Sequence, residues 1–250
     1  MVSPATHVVL LVLAGVGAGL TGYGAGLASL VSYPALLAAG LSPLAANATN
    51  TAALTGIALG GVGSARQELA GTRARLVRFG IAGLVGGAAG ALLLVVLPES
   101  VFAAVVPWLV VLGSIVLLLR PWLARLHRGR LSERSPLVVG VVVLLAVYGG
   151  YFGAGAGTLV IATFALVLPE PLTRIAALRT VVLGLANLAA SVLFVARGLV
   201  EWTAMVPLAV GMLVGGALAP RILRRLPETV VRVVVAVAGL GLAVFLLLQG

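Results

Sequence analysis

The sequence contains no cysteine, no lysine and no aspartate. Without cysteine there is no disulfide framework and no thiolate metal site. All 16 basic residues are arginine, and all 6 acidic residues are glutamate: Glu68, Glu99, Glu133, Glu170, Glu201 and Glu228. Histidine is confined to His7 and His127. Charge of either sign is scarce, at 9% of residues, where a soluble domain carries about 25%. So little polar surface cannot cover a globule in water.

Apolar residues take the place of the missing charge and make up 62% of the chain. A bilayer core about 30 Å thick needs roughly 20 apolar residues per helix. Such segments follow one another from end to end. The chain therefore reads as an all-α polytopic membrane protein with no room for a separate soluble domain. The stretch 8–21 lacks the basic flank of a secretory signal and is read as part of the membrane region. The surplus of arginine is read as topology, because cytoplasmic loops attract it. No loop is long enough for a basic domain, so no nucleic-acid partner is expected.

The chain repeats itself, a pattern worth seeking before any other. "LVGGA" at 84–88 returns at 213–217, and "LPESV" at 97–101 returns as "LPETV" at 226–230. "GYGAG" at 22–26 and "GAGAG" at 153–157 stand at nearly the same offset, as do "AANAT" at 45–49 and "AALRT" at 176–180. Two membrane repeats follow, 1–120 and 137–250, joined by a basic cytoplasmic linker at 121–136. Each reads as about five apolar segments: 7–21, 25–38, 43–64, 76–96 and 101–119, then 137–150, 156–168, 172–195, 203–220 and 229–248. The first two segments of each repeat are short, about 14 residues, and reach only about 21 Å. They are expected to dip into the membrane, break at the glycines and return.

An odd number of segments inverts the second repeat relative to the first. Arginine placement tests this independently. Loop 65–78 carries Arg66, Arg73, Arg75 and Arg78, whereas its counterpart 196–201 carries only Arg197 beside Glu201. The "LPES" loop has no arginine, whereas its counterpart follows Arg221, Arg224 and Arg225. The positive-inside rule then puts 65–78, 120–136 and 220–229 in the cytoplasm and both termini outside.

Interrupted segments at corresponding places in two inverted repeats point to the binding site of a secondary transporter. Helix N-termini at the breaks present N–H groups and about half a positive charge to an anion. Gly22, Gly24, Gly26, Gly153, Gly155 and Gly157 are therefore candidate binding residues. Gly86, Gly87, Gly215 and Gly216 are read as helix-packing positions. Asn47, Asn50 and Thr51 share a helix face of segment 43–64 by their spacing and, with Thr49, are candidates too; interhelical hydrogen bonding is the plainer explanation for each. The matching region of the second repeat offers Arg179, Thr180 and Asn187. Arg179 lies about 10 Å into its segment, where a charge is costly. It either snorkels to the cytoplasmic face or faces a cavity and neutralises an anion. Every glutamate falls in or beside a loop, so none sits mid-membrane to bind a cation or relay protons. That disfavours a cation pump, a metal transporter and an intramembrane metalloprotease. No catalytic residue, metal or cofactor is expected.

The stretch "GYGAGLASLVSYPALLAAGLSPLAANATN" at 22–50 resembles the sulfite exporter TauE/SafE family of membrane permeases. "GAGAGTLV" at 153–160 and "ARGLVEW" at 196–202 extend the resemblance to essentially the whole chain. The chain departs from the family pattern in "RQELAGTRAR" at 66–75, where a shorter loop is usual, and in the dense Asn and Thr at 47–51. The resemblance implies a cell-membrane permease for small sulfur-containing or organic anions such as sulfite or sulfonates. A non-transporting membrane scaffold and an anion channel are the alternatives. The lipid bilayer and a small anion are the expected partners. A homodimer stays open, and neither coupling ion nor direction is legible.

Overall fold

The computed structural model describes residues 4–123 and 132–222, together with positions 233, 237, 240, 241, 243 and 244. Most of the expected last segment, 229–248, and half of the linker, 124–131, lie outside the described residues. The helices are α1 (Pro4–Ala25), α2 (Ala28–Ala38), α3 (Pro43–Ser64), the single turn α4 (Arg66–Leu69), α5 (Arg73–Val96), α6 (Glu99–Leu123), α7 (Pro136–Tyr151), α8 (Ala156–Val167), α9 (Leu172–Ala196) and α10 (Trp202–Ile222). Among the described residues there is no strand. Five helices contain a stretch long and apolar enough to cross a membrane: Thr6–Tyr23, Arg73–Val96, Glu99–Val116, Leu172–Ala196 and Trp202–Ala219.

One expectation is corrected. The first segment is not short, because α1 runs for 22 residues and continues through Gly15, Gly17, Gly19 and Gly22. Packing holds it helical there. A β-carbon at Gly15 would lie 2.3 Å from the Leu208 carbonyl oxygen, and one at Gly19 would lie 2.4 Å from that of Met212. Close approach of α10 offsets the roughly 1 kcal/mol that each glycine costs a helix. The other three expected short segments are short: α2 has 11 residues, α7 has 16 and α8 has 12. Conversely, α3 has 22 residues but is not among the candidate spans, because asparagine, threonine and glycine lower its hydropathy. It is an interior helix: Ala46, Ala48 and Ala53 are fully buried.

Helices α1 and α10 pack together, as do α7 and α5. Helix α5 also packs on α9, α10 on α3, and α3 on α9. Exchanging α1 with α7, α3 with α9 and α5 with α10 maps this set of pairs onto itself. Glycine sets the spacing at each contact. A β-carbon at Gly90 would lie 2.0 Å from the Val147 carbonyl oxygen, and those at Gly87 and Gly215 would lie 2.3 and 2.2 Å from the carbonyl oxygens of Ala186 and Val16. Gly86 meets Ala146 just as closely, whereas Gly216 has ordinary contact distance to Ile57.

Candidate functional site

Two chain breaks meet inside the bundle. Helix α1 ends at Ala25 and α2 begins at Ala28, with Gly26 at φ 77° between them. Helix α2 then turns back along α1, so that a β-carbon at Gly17 would touch Val31 at 3.6 Å. Helix α7 ends at Tyr151 and α8 begins at Ala156, with Gly153 at φ 76° and Gly155 at φ 74°. Those φ values cost an L side chain roughly 1–2 kcal/mol, so glycine is the residue that permits both breaks. The breaks touch: a β-carbon at Gly26 would lie 2.6 Å from the Gly157 carbonyl carbon, and one at Gly157 would lie 2.6 Å from the Gly26 Cα.

Beside this contact is a cavity of about 60 Å³. One ordered water needs about 10–15 Å³ on such a measure, so the space admits a few waters or a small oxyanion. The first turn of α2 contributes Ala28 and Ser29, and the first turn of α8 contributes Ala156 and Gly157. Gly22, Gly26, Gly149 and Gly153 line it from the ends of α1 and α7 and from the breaks. Helix α9 supplies Arg179, Thr180, Leu183, Gly184 and Asn187, while α3 supplies the apolar Leu54, Ile57 and Ala58. No carboxylate is among the lining residues.

Arg179 is 5% exposed, so it does not snorkel to a membrane face. Its Nη1 donates to the Gly22 carbonyl at 3.0 Å and its Nη2 to that of Tyr23 at 2.7 Å. These carbonyls belong to the last turn of α1, at the negative end of its dipole, and the Gly22 oxygen also accepts the Gly26 N–H at 2.9 Å. A cation there complements the dipole and supplies the Tyr23 oxygen with a donor. Asn47 does the same for α7: its Nδ2 donates to the carbonyl of Tyr151, the last residue of that helix, at 2.7 Å.

The polar cluster of α3 is not brought into the cavity. Asn47 is fully buried against the end of α7. Thr49 Oγ1 accepts the Glu201 N–H at 3.0 Å, which fixes the chain just before α10. Asn50 Nδ2 donates to Ser29 Oγ at 3.1 Å, and Ser32 Oγ donates to Asn50 Oδ1. Thr51 Oγ1 donates to the Asn47 carbonyl of its own helix. Adjacent positions on a helix point about 100° apart, so four consecutive or near-consecutive polar residues serve different neighbours. Of the six break glycines, Gly22, Gly26, Gly153 and Gly157 line the cavity, whereas Gly24 lies in the last turn of α1 and Gly155 caps α8 against Gly113.

Ser29 is the residue that sequence reasoning missed. It stands three positions past Gly26, in the first turn after a break, and that position was the available signal. Its Oγ accepts from Asn50, which leaves its own O–H to donate. Thr180 spends its hydroxyl proton on the Ala176 carbonyl at 2.8 Å. The donor groups that line the cavity are therefore the Arg179 guanidinium, the Ser29 hydroxyl, the Asn187 amide and the backbone N–H groups of Ala28, Ser29 and Gly157.

The sulfite exporter TauE/SafE family model matches residues 8–246. A probable membrane transporter protein, YfcA, of Escherichia coli K12 is 28% identical over 243 residues, which cover 95% of this chain and 88% of that protein. A probable membrane transporter protein of Haemophilus influenzae is 28% identical over 219 residues, covering 85% and 84% respectively. No solved structure matches the chain. A match spanning nearly the full length, on a helical framework with five candidate membrane spans, leads to one conclusion: the chain belongs to the sulfite exporter TauE/SafE family.

Proposed function

We propose that this protein is a secondary transporter of the cell membrane for small sulfur-containing or organic anions such as sulfite or sulfonates. One observation carries the reading: a buried arginine lines a cavity where two broken helices begin, and the described residues lining that cavity include no carboxylate. A buried cation in an apolar interior is costly, and an anion held by its planar fork offsets part of that cost. The helix starts add N–H groups and positive dipole ends, the pattern by which broken helices hold anionic groups in transporters. Family membership and relatives named as membrane transporters agree.

The architecture proposed is two inverted repeats, 1–120 and 137–250, moving about the site in alternating access. The symmetric exchange of helix contacts supports it, as does the placement of loop residues. Arg75 reaches Glu133 and Glu170, so loops assigned to the cytoplasm share one end of the bundle. Thr49, two turns into α3, reaches Glu201 beside the loop assigned to the outside, so that loop lies at the end of the bundle where α3 begins. Both termini are then external.

The test is flux into proteoliposomes across a panel of anions, with and without ion gradients. Sulfite, sulfonates or small carboxylates should accumulate, and cations should not. Absence of flux and of anion binding across the panel would favour a membrane scaffold. Gradient-independent flux at channel rates would favour a pore.

A further inference from the structure

The loop "RQELAGTRAR", at 66–75, has no part in the cavity. It ends at Arg75, which joins parts of the chain far apart in sequence. Arg75 Nε meets Glu133 Oε2 at 2.6 Å, and Arg75 Nη1 meets Glu170 Oε1 at 2.5 Å. Arg174 Nη1 meets the other Glu170 oxygen at 3.1 Å, and its Nε and Nη2 donate to the carbonyls of Glu68 and Ala70 at 3.0 Å. Arg78 lies 3.6 Å from Glu133. The network ties α4 and the first turn of α5 to the residues leading into α7 and to the turn between α8 and α9.

We propose that Arg75 is the positioning residue of an ionic latch that holds α8 closed over this end of the bundle, and that the latch parts when the cavity opens to this face. Helix α8 has the geometry of a lid. It is short, it starts at the positive-φ glycines 153 and 155, and it lines the cavity with Ala156 and Gly157. Glu170 lies three residues past its end, in the turn "PEP". The body of α8 is held by apolar contact, such as Phe164 against Phe79 at 4.9 Å between ring centres. Such contact is not directional and allows sliding. A directional restraint on the far end of α8 is at Glu170. The side chains of the latch keep 14–33% exposure, so water can replace each partner. Ion pairs of that kind are weak singly and reversible, which suits a latch that opens in every cycle.

The test uses the absence of native cysteine. Leu183→Cys, in the cavity wall, is labelled with an impermeant maleimide added to either side of oriented vesicles. Arg75→Gln and Glu170→Gln should each speed labelling from the face bearing residues 65–72 by about fivefold, the factor equivalent to about 1 kcal/mol. The double variant should fall short of the product of the two single effects, because both remove the Arg75–Glu170 pair while each also removes one further partner, Glu133 or Arg174. Salt at 1 M, where the screening length is about 3 Å, should speed labelling of the unaltered latch in the same way. Unchanged rates in folded variants, equal acceleration from both faces, or multiplying effects would each overturn the latch. If Arg75→Gln fails to fold, Glu170→Gln and the salt series decide. Labelling needs no substrate, so failure of the latch and failure of the anion reading are separate results.

Discussion

Gly26 and Gly157 pack backbone against backbone, 131 residues apart in the chain and with no room for a methyl group on either. Each belongs to a different chain break, and the guanidinium of Arg179 lies against the same contact: a β-carbon at Gly157 would also come within 3.1 Å of Arg179 Nη1. The cavity exists because two glycine-bearing turns can approach this closely.

Gly157→Ala should therefore abolish transport while the protein still inserts, since the added carbon meets backbone that cannot swing aside. Gly26→Ala adds backbone strain to the same clash. Gly40→Ala separates the two effects: it has φ 91° but open space around it. It should cost only the roughly 1–2 kcal/mol of the left-handed conformation and retain flux. Thermal stability and proteoliposome flux, measured together, check all three.

Arg179→Lys keeps the charge but loses the fork that spans the Gly22 and Tyr23 carbonyls and grips an oxyanion. Anion affinity should fall about tenfold or more, since a hydrogen bond to a charged group contributes roughly 1.5–3 kcal/mol. Arg179→Gln should fall further. Titration of a transported anion by calorimetry gives the affinities. Undiminished binding in both variants would leave Arg179 as a helix cap alone.

Asn47→Leu should destabilise the protein by about 1–3 kcal/mol, because the Tyr151 carbonyl loses its buried donor. Thr51→Val, which removes only a bond back to its own helix, should cost less. Denaturation midpoints in detergent compare the two.

Acid should loosen the latch. The Arg75 guanidinium, followed by that of Arg174, holds the Glu170 carboxyl below its ordinary value of 4.5. A lowered carboxyl contributes its stabilisation in full above the ordinary value and loses it as pH falls through the lowered one. Glu133 and Arg78 complete the charged surroundings. Labelling of Leu183→Cys from the latch face, after correction for reagent chemistry, should stay flat down to about pH 5 and rise below it. Glu170→Gln should remove the rise.

Cysteine placed at position 129 should be labelled only from the cytoplasm, and cysteine at position 199 only from outside. Labelling of both from one face would contradict the inverted arrangement.

Composition alone decided that this chain lives in a bilayer, because 9% charge cannot solvate a globule. The glycine stretches and Arg179 were legible because glycine and a buried cation are costly in an apolar helix and stand out against it. Where the breaks fall was not legible. Gly22 and Gly24 stay helical and Gly26 does not, although all three are glycine, because backbone propensity is local while the contact with Gly157 is not. Nor could spacing sort Asn47, Thr49, Asn50 and Thr51. All four are polar on one helix, yet they meet the end of α7, the start of α10, the face of α2 and their own turn. The order of residues along α3 set the direction of each side chain. Which backbone group waited there was decided only when the other helices packed around it.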